Sequence, residues 1–136
     1  MATLKLEIVT PEAKVYSEDV DMVTLPGVEG EMGIFPMHIP LMTQLAGGEV
    51  AVRKGGQDFF LAVGEGFAEV TGERVSILTD MAIRAENIDE LKAEEARKRA
   101  EARLAEKLDD EESATVHAAM VNALAQLKVK RQHPRR

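Results

Sequence analysis

All ten glycines, all five aromatic residues and four of the five prolines lie before residue 73, while the residues after Arg84 are drawn mostly from Ala, Leu, Glu, Lys and Arg. Gly and Pro punctuate turns, whereas straight-chain residues lose little rotamer freedom in a helix. The chain therefore divides into a β-region over residues 1–85 and a helical region over residues 86–136, joined near Ala85–Asn87. A compact domain of about 85 residues can fold alone, whereas a helical appendage needs a surface to pack against.

Aromatic residues make up only 4% of the chain, so the core must rest on Val, Ile, Leu and Met. The absence of Cys rules out a disulfide frame and thiolate metal sites. The opening MATLKLEIVT has neither the basic start nor the apolar stretch of a signal peptide, and no run approaches the ~18 apolar residues of a membrane span. Membrane association is expected only indirectly. Residues 1–85 carry a net charge of −7, residues 86–128 carry −4 and residues 129–136 carry +4. An acidic body argues against nucleic acid as a partner, since phosphate binding needs a basic folded face. The tail VKRQHPRR is the one basic run, and a solvated terminus accounts for it.

In the β-region, Leu4, Leu6 and Ile8 alternate with Thr3, Lys5 and Glu7, and Val50 and Val52 alternate with Glu49, Ala51 and Arg53. Period two is the signal of a half-buried strand. Further runs at Val20–Leu25, Asp58–Val63, Phe67–Val70, Arg74–Leu78 and Met81–Arg84 are separated by Gly-Gly, Gly-Glu-Gly and Thr-Gly-Glu turn chemistry. Eight to ten short strands without an intervening helical period predict a sandwich or flattened barrel.

The helical region places Ile88, Leu91, Ala96, Ala100, Leu104 and Leu108 on one stripe of a first helix, with Asn87 as its N-cap. Asp109-Asp110 interrupts the pattern. From about Glu111 a second helix sets Val116, Met120, Ala123, Leu124 and Leu127 on one face. Two such arms of ~20 residues form an antiparallel helical hairpin, each arm about 30 Å long. An Ala-rich seam removes little apolar area from water, at roughly 25 cal/mol per Å². The hairpin is thus expected to dock weakly and to be able to leave the β-region.

The stretch Leu25–Pro40, LPGVEGEMGIFPMHIP, has three glycines at intervals of three, bounded by prolines. Its spacing fits a rigid turn that carries Glu29, Glu31 and His38 toward solvent. The run also resembles the epsilon-subunit family of rotary F-type ATP synthases, whose mitochondrial members are called delta. The opening LKLEIVTPEAKVYSEDVDMVTLPG, the stretch VGEGFAEVTGERVSILTD, the following MAIRAENID and the Ala/Glu/Lys/Arg-rich hairpin occur in that family's order.

The resemblance implies an α+β chain in two parts, an N-terminal ten-stranded β-sandwich followed by a C-terminal antiparallel two-helix hairpin. It implies a non-catalytic central-stalk subunit that binds the gamma subunit and the c-subunit ring and turns with them as proton flow drives ATP synthesis. The loop carrying Glu29, Gly30, Glu31, Gly33 and His38 would face the c-ring and gamma. The hairpin, when extended, would reach the alpha/beta catalytic hexamer and obstruct rotation, with Lys128, Lys130, Arg131, Arg135 and Arg136 as candidate cations for an acidic surface; cations that complement a helix C-terminus explain the same residues. The implied location is the cytoplasmic face of the bacterial inner membrane, peripherally, as part of F1.

Some members of that family bind ATP through Ile/Leu-Asp-x-x-Arg-Ala at the start of the first helix. This chain has Ile88-Asp89-Glu90-Leu91-Lys92-Ala93, so the candidate contacts are Asp89, Lys92 and Arg99. Lys92 cannot reproduce the bidentate fork of Arg, and the second-helix positions that are Arg in ATP-binding relatives are Asn122 and Gln126 here. No cofactor is expected, and ATP is not expected to be held at physiological concentration.

No catalytic constellation is visible. His38, His117 and His133 are isolated in sequence, and no metal-ligand spacing or phosphate-cradling loop occurs. Glu29/Glu31 and Asp109/Asp110 are explained by a solvated turn and a helix cap. Two other classes are compatible with a small β-domain. One is a lipoyl- or biotinyl-type carrier with Lys54 at the hairpin tip Arg53-Lys54-Gly55-Gly56, although the flanking residues of such carriers are missing; the other is a stand-alone ATP-sensing module.

Overall fold

The computed structural model describes residues 2–134. Eight strands precede two helices: β1 (Leu4–Val9), β2 (Lys14–Val20), β3 (Met22–Gly27), β4 (Gly30–Ile34), β5 (Leu41–Lys54), β6 (Gln57–Val70), β7 (Arg74–Thr79), β8 (Ala82–Arg84), α1 (Glu90–Leu104) and α2 (Asp110–Gln132). The strands form a β-sandwich in the hydrogen-bonded order β2-β1-β7-β6-β5-β3-β4, with β8 paired to β6. Only the β1–β7 pair is parallel.

The count is eight rather than ten because two of the expected turns are bends inside strands. Gly47-Gly48 lies within β5 and Gly64-Glu65-Gly66 within β6, each strand being 14 residues long. The β5–β6 ladder runs from Leu41↔Val70 to Ala46↔Glu65 and resumes at Gly48↔Val63, leaving Gly47 and Gly64 unpaired at the fold line. Beyond that line β6 changes neighbours, pairing with β7 at Gly66–Val70 and with β8 at Leu61–Val63. The true hairpin turn is Gly55-Gly56, where φ values of 59° and 78° suit glycine. The expected run Val20–Leu25 is likewise two strands, broken at Asp21.

Alternation places Leu4, Leu6 and Ile8 of β1 inside, beside Val75 and Ile77 of the paired β7, in one core that also takes Val23, Leu25, Ile34, Leu45, Val50, Val52, Leu61 and Val63. Tyr16 is the one aromatic residue among the buried members.

The junction also differs from expectation. A 3₁₀ turn occupies Ala85–Asn87, Ile88 is extended and buried, and the N-cap of α1 is Asp89, not Asn87. The Asp89 carboxylate accepts from the Lys92 amide at 3.1 Å, satisfying a donor that the first helical turn leaves free. Asp109 caps α2 in a reciprocal box with Glu112. The arms are 15 and 23 residues long instead of equal.

The expected apolar stripe of α1 is wrong in detail. Leu91 and Leu104 are exposed, Leu108 lies outside the helix, and the buried positions are Ala93 and Ala100. Packing partners decide this: α1 lies on α2, and small residues let the two helices close. On α2, Leu124 is exposed while Ala123, Ala125, Leu127 and Val129 are buried. Ala125 and Val129 sit against the sheet with Ala62, Ala85 and Ile88, flanked by Phe60, Met81 and Ile83. Ala123 and Leu127 fall on the opposite side by helical spacing, facing α1. Burial on two sides follows from α2 being the middle layer.

At Gly66 an added Cβ would lie 1.9 Å from the Leu78 carbonyl oxygen, so the strands could not keep their spacing. Gly66→Ala is expected to lower stability by about 3 kcal/mol, read as a reduced urea midpoint; an unchanged midpoint would show that the bend relaxes freely.

Candidate functional site

The β3–β4 hairpin pairs Pro26 with Glu31 and Gly27 with Gly30 across the two-residue turn Val28-Glu29. Glu29 and Glu31 are exposed, as the sequence predicts, as are Gly30 and Gly33, whereas His38, expected to reach solvent, is half-buried. The His38 Nδ1 lies 2.7 Å from the Ile39 carbonyl, which can only accept, so Nδ1 donates.

After Ile34 the chain leaves the sheet. Pro36 and Pro40 lack the amide a ladder requires, so residues 35–40 cross the end of the sandwich as a loop. The Met37 amide donates to the Gly72 carbonyl at 2.7 Å, and the Val28 amide donates to the Gln44 carbonyl at 3.0 Å. These bonds tie the loop to the β6–β7 turn and the β3–β4 turn to β5. Met37 adopts φ 69°, a conformation that costs a non-glycine residue roughly 1 kcal/mol or more.

The strain presents apolar side chains to solvent. Met37 is 81% exposed and Ile39 76%, with Val28, Phe35 and Met42 also exposed. On the outer face of the adjoining sheet Phe67 is paired directly with Leu78, and Met42 lies opposite Glu69, two residues along the same face from Phe67. Phe67 and Leu78 are exposed as well. Exposed apolar side chains gathered at one end of a fold are what an interaction surface presents. Sequence reasoning missed these residues because it followed the carboxylates. The available signal was the alternation Phe35, Met37, Ile39 in a proline-bounded segment that no sheet could bury.

A second surface lies under α2, where side chains make way for backbone. A Cβ on Gly47 would lie 2.6 Å from Val121 Cγ1, and one on Gly64 would lie 2.0 Å from Asp80 Oδ1 and 2.4 Å from Asn122 Oδ1. Asn122 Nδ2 donates to Asp80 Oδ2 at 3.4 Å, whereas its Oδ1 is buried without a partner. Arg131 bridges to Glu90 and Glu94 at 2.9 and 3.2 Å, fastening α2 to α1.

The candidate nucleotide contacts are not gathered into a site. Asp89 is used as a cap, while Lys92 and Arg99 are exposed on α1. A cavity of about 450 Å³ lies elsewhere, lined by Tyr16, Glu18, Phe59, Phe60 and Arg84 among others. Lys54, the carrier-type candidate, is paired with Glu18. Lys128, Lys130 and Arg131 lie on the last turns of α2, whereas Arg135 and Arg136 fall outside the described residues. Among the described residues no helix is long and apolar enough to cross a membrane.

A family model described as the beta-sandwich domain of the ATP synthase delta/epsilon chain matches residues 3–85, and one described as the long alpha-helix domain of the same chain matches residues 86–131. The chain belongs to the ATP synthase delta/epsilon family. The ATP synthase epsilon chain of Dehalococcoides mccartyi strain CBDB1 is 49% identical over 138 residues, covering 98% of this chain and 99% of the relative. That of Syntrophobacter fumaroxidans is 48% identical over 126 residues, covering 93% and 94%. In the Euglena gracilis mitochondrial ATP synthase, in an OSCP/F1/c-ring structure, one chain superposes with a TM-score of 0.73 at 27% identity, over 92% of this chain and 79% of that one. A chain from the Tetrahymena thermophila mitochondrial ATP synthase shares the fold, with a TM-score of 0.55 at 15% identity over 91% and 96%. As a member of the family, the protein is a non-catalytic subunit of the F1 portion of ATP synthase, with a rotor-stalk role in ATP synthesis.

Within this delta/epsilon chain the Glu94 carboxyl is held below its usual range, chiefly by a hydrogen bond from Arg97 and further by Arg131. A carboxylate depressed in the native state stabilises fully above its unfolded pKa and loses that contribution as pH falls through the native value. Glu94→Gln should therefore lower hairpin stability at neutral pH, and the difference from the parent should shrink as pH falls from the ordinary carboxylate range through the lowered native value. Circular dichroism melts across that range check it; a difference persisting at low pH would point to packing instead.

Proposed function

We propose that the end of the sandwich formed by Val28–Met42 docks the delta/epsilon chain onto the foot of gamma and the c-ring, so that it turns with both as proton flow drives ATP synthesis. The supporting observation is the exposed apolar set Phe35, Met37 and Ile39 of the loop that holds Met37 at positive φ, together with Met42 at the start of β5. Apolar burial supplies grip at such a contact, while Glu29 and Glu31 at its edge orient it against basic groups. In this reading the protein sits peripherally on the cytoplasmic face of the bacterial inner membrane. The hairpin acts as a detachable brake that reaches the alpha/beta hexamer when extended, as its small-residue footprint on the sheet supports.

Met37→Glu combined with Ile39→Glu is expected to weaken binding to the gamma–hexamer complex about tenfold or more without moving the melting temperature. Wild-type affinity in the double variant would remove this surface from the docking role. A chain ending at Ala85 should still bind and should allow faster ATP hydrolysis than the full-length protein. Equal rates would keep the stalk role and remove the brake.

ATP is not a ligand of the hairpin in this reading, because Asp89 is engaged as a cap and Lys92 replaces the arginine fork. Titration of the isolated chain with ATP should show no sub-millimolar binding, and a saturating signal below that concentration would reverse the assignment.

A further inference from the structure

The footprint of α2 on the sandwich includes its last three turns, from Val121 beside Gly47 to Val129 among Phe60, Ala62 and Ala85. Beside Val129, Ile88 and Phe60, part of it is weakly adhesive. Ala125 and Ala62 remove little apolar area, and Asn122 takes its Oδ1 out of water without a partner, which opposes docking. The Arg131 bridges to Glu90 and Glu94 join helix to helix, so they travel with the hairpin and do not resist its departure.

One contact differs in kind. His133, just past the end of α2, stacks on Phe60 of β6 with ring centroids 3.5 Å apart and 5° between planes. Its Nε2 lies 2.6 Å from Glu49 Oε1 of β5, and since a carboxylate only accepts, Nε2 donates. The two side chains are 28% and 17% exposed, which spares the contact much of the screening that weakens surface pairs. One turn back, Lys130 donates to the Ala85 carbonyl at 3.4 Å, beside the chain's exit from the sandwich.

We propose that His133 is a terminal latch, whose stack on Phe60 and hydrogen bond to Glu49 set the fraction of molecules with the hairpin docked. Release then begins at the C-terminal end of α2, where the decisive contact lies, and the alanine seam follows. The consequence for hydrolysis rests on the stalk reading, whereas the latch is a property of the free chain.

Because the chain has no native cysteine, Glu12→Cys on the β1–β2 turn and Lys107→Cys between the helices can carry a spin-label pair on the full-length protein. The parent pair is expected to give one dominant docked distance. His133→Ala should raise the undocked-to-docked ratio on the order of tenfold, and Phe60→Leu, which leaves the hairpin sequence intact, should shift it the same way. Gln132→Ala, at an exposed neighbour, should leave it unchanged. Parent-like distances in His133→Ala, a shift absent from Phe60→Leu, an equal shift in Gln132→Ala, or a mostly undocked parent would each overturn the latch. Failure of the parent to bind gamma would count against the stalk reading and leave the distance result standing.

Discussion

The structure depends on how closely backbone can approach backbone along one line across β5 and β6. At Gly47 and Gly64 the sheet folds over, and on the outside of the same fold α2 comes down with Val121 and Asn122 against those glycines. The absence of Cβ atoms there lets two strands bend and gives a helix its bed. A single steric constraint thus joins the β-sandwich to the hairpin, which a bulkier residue at either position would drive apart.

Strand periodicity was legible wherever one face is buried, because alternation such as Leu4, Leu6, Ile8 reads the same in sequence and in space. The glycines were less so: a glycine between two apolar runs looks alike whether the chain reverses, as at Gly55-Gly56, or bends and continues, as at Gly64. Only the hydrogen-bond partners on both sides distinguish the two. The stripe on α1 failed for another reason. Leucines are the conventional core of a helix, yet α1 packs on a neighbouring helix by Ala93 and Ala100, and Leu91 and Leu104 face water. Helix caps were half legible: the pair Asp109-Asp110 reads as a cap and Asp109 is one, whereas the expected Asn87 lies in a 3₁₀ turn and Asp89 caps α1 instead.

The β3–β4 turn and the loop after it stand out in the sequence, but through their carboxylates and glycines rather than their apolar side chains. Glu29 and Glu31 stand at a turn tip as expected, whereas Met37, Ile39, Phe67 and Leu78 supply the exposed apolar area. Two of these lie on strands whose other face is core, so their outward direction follows from register with β5 and β7, which no local pattern reveals.

The uneven arms of the hairpin have a mechanical consequence. Val121 on Gly47 falls near the middle of α2, about 17 Å from Asp110 and about 18 Å from His133 at 1.5 Å per residue. A rotation of the helix about that contact would displace both ends by nearly the same distance, so a push at one end of the rod would move the other almost as far.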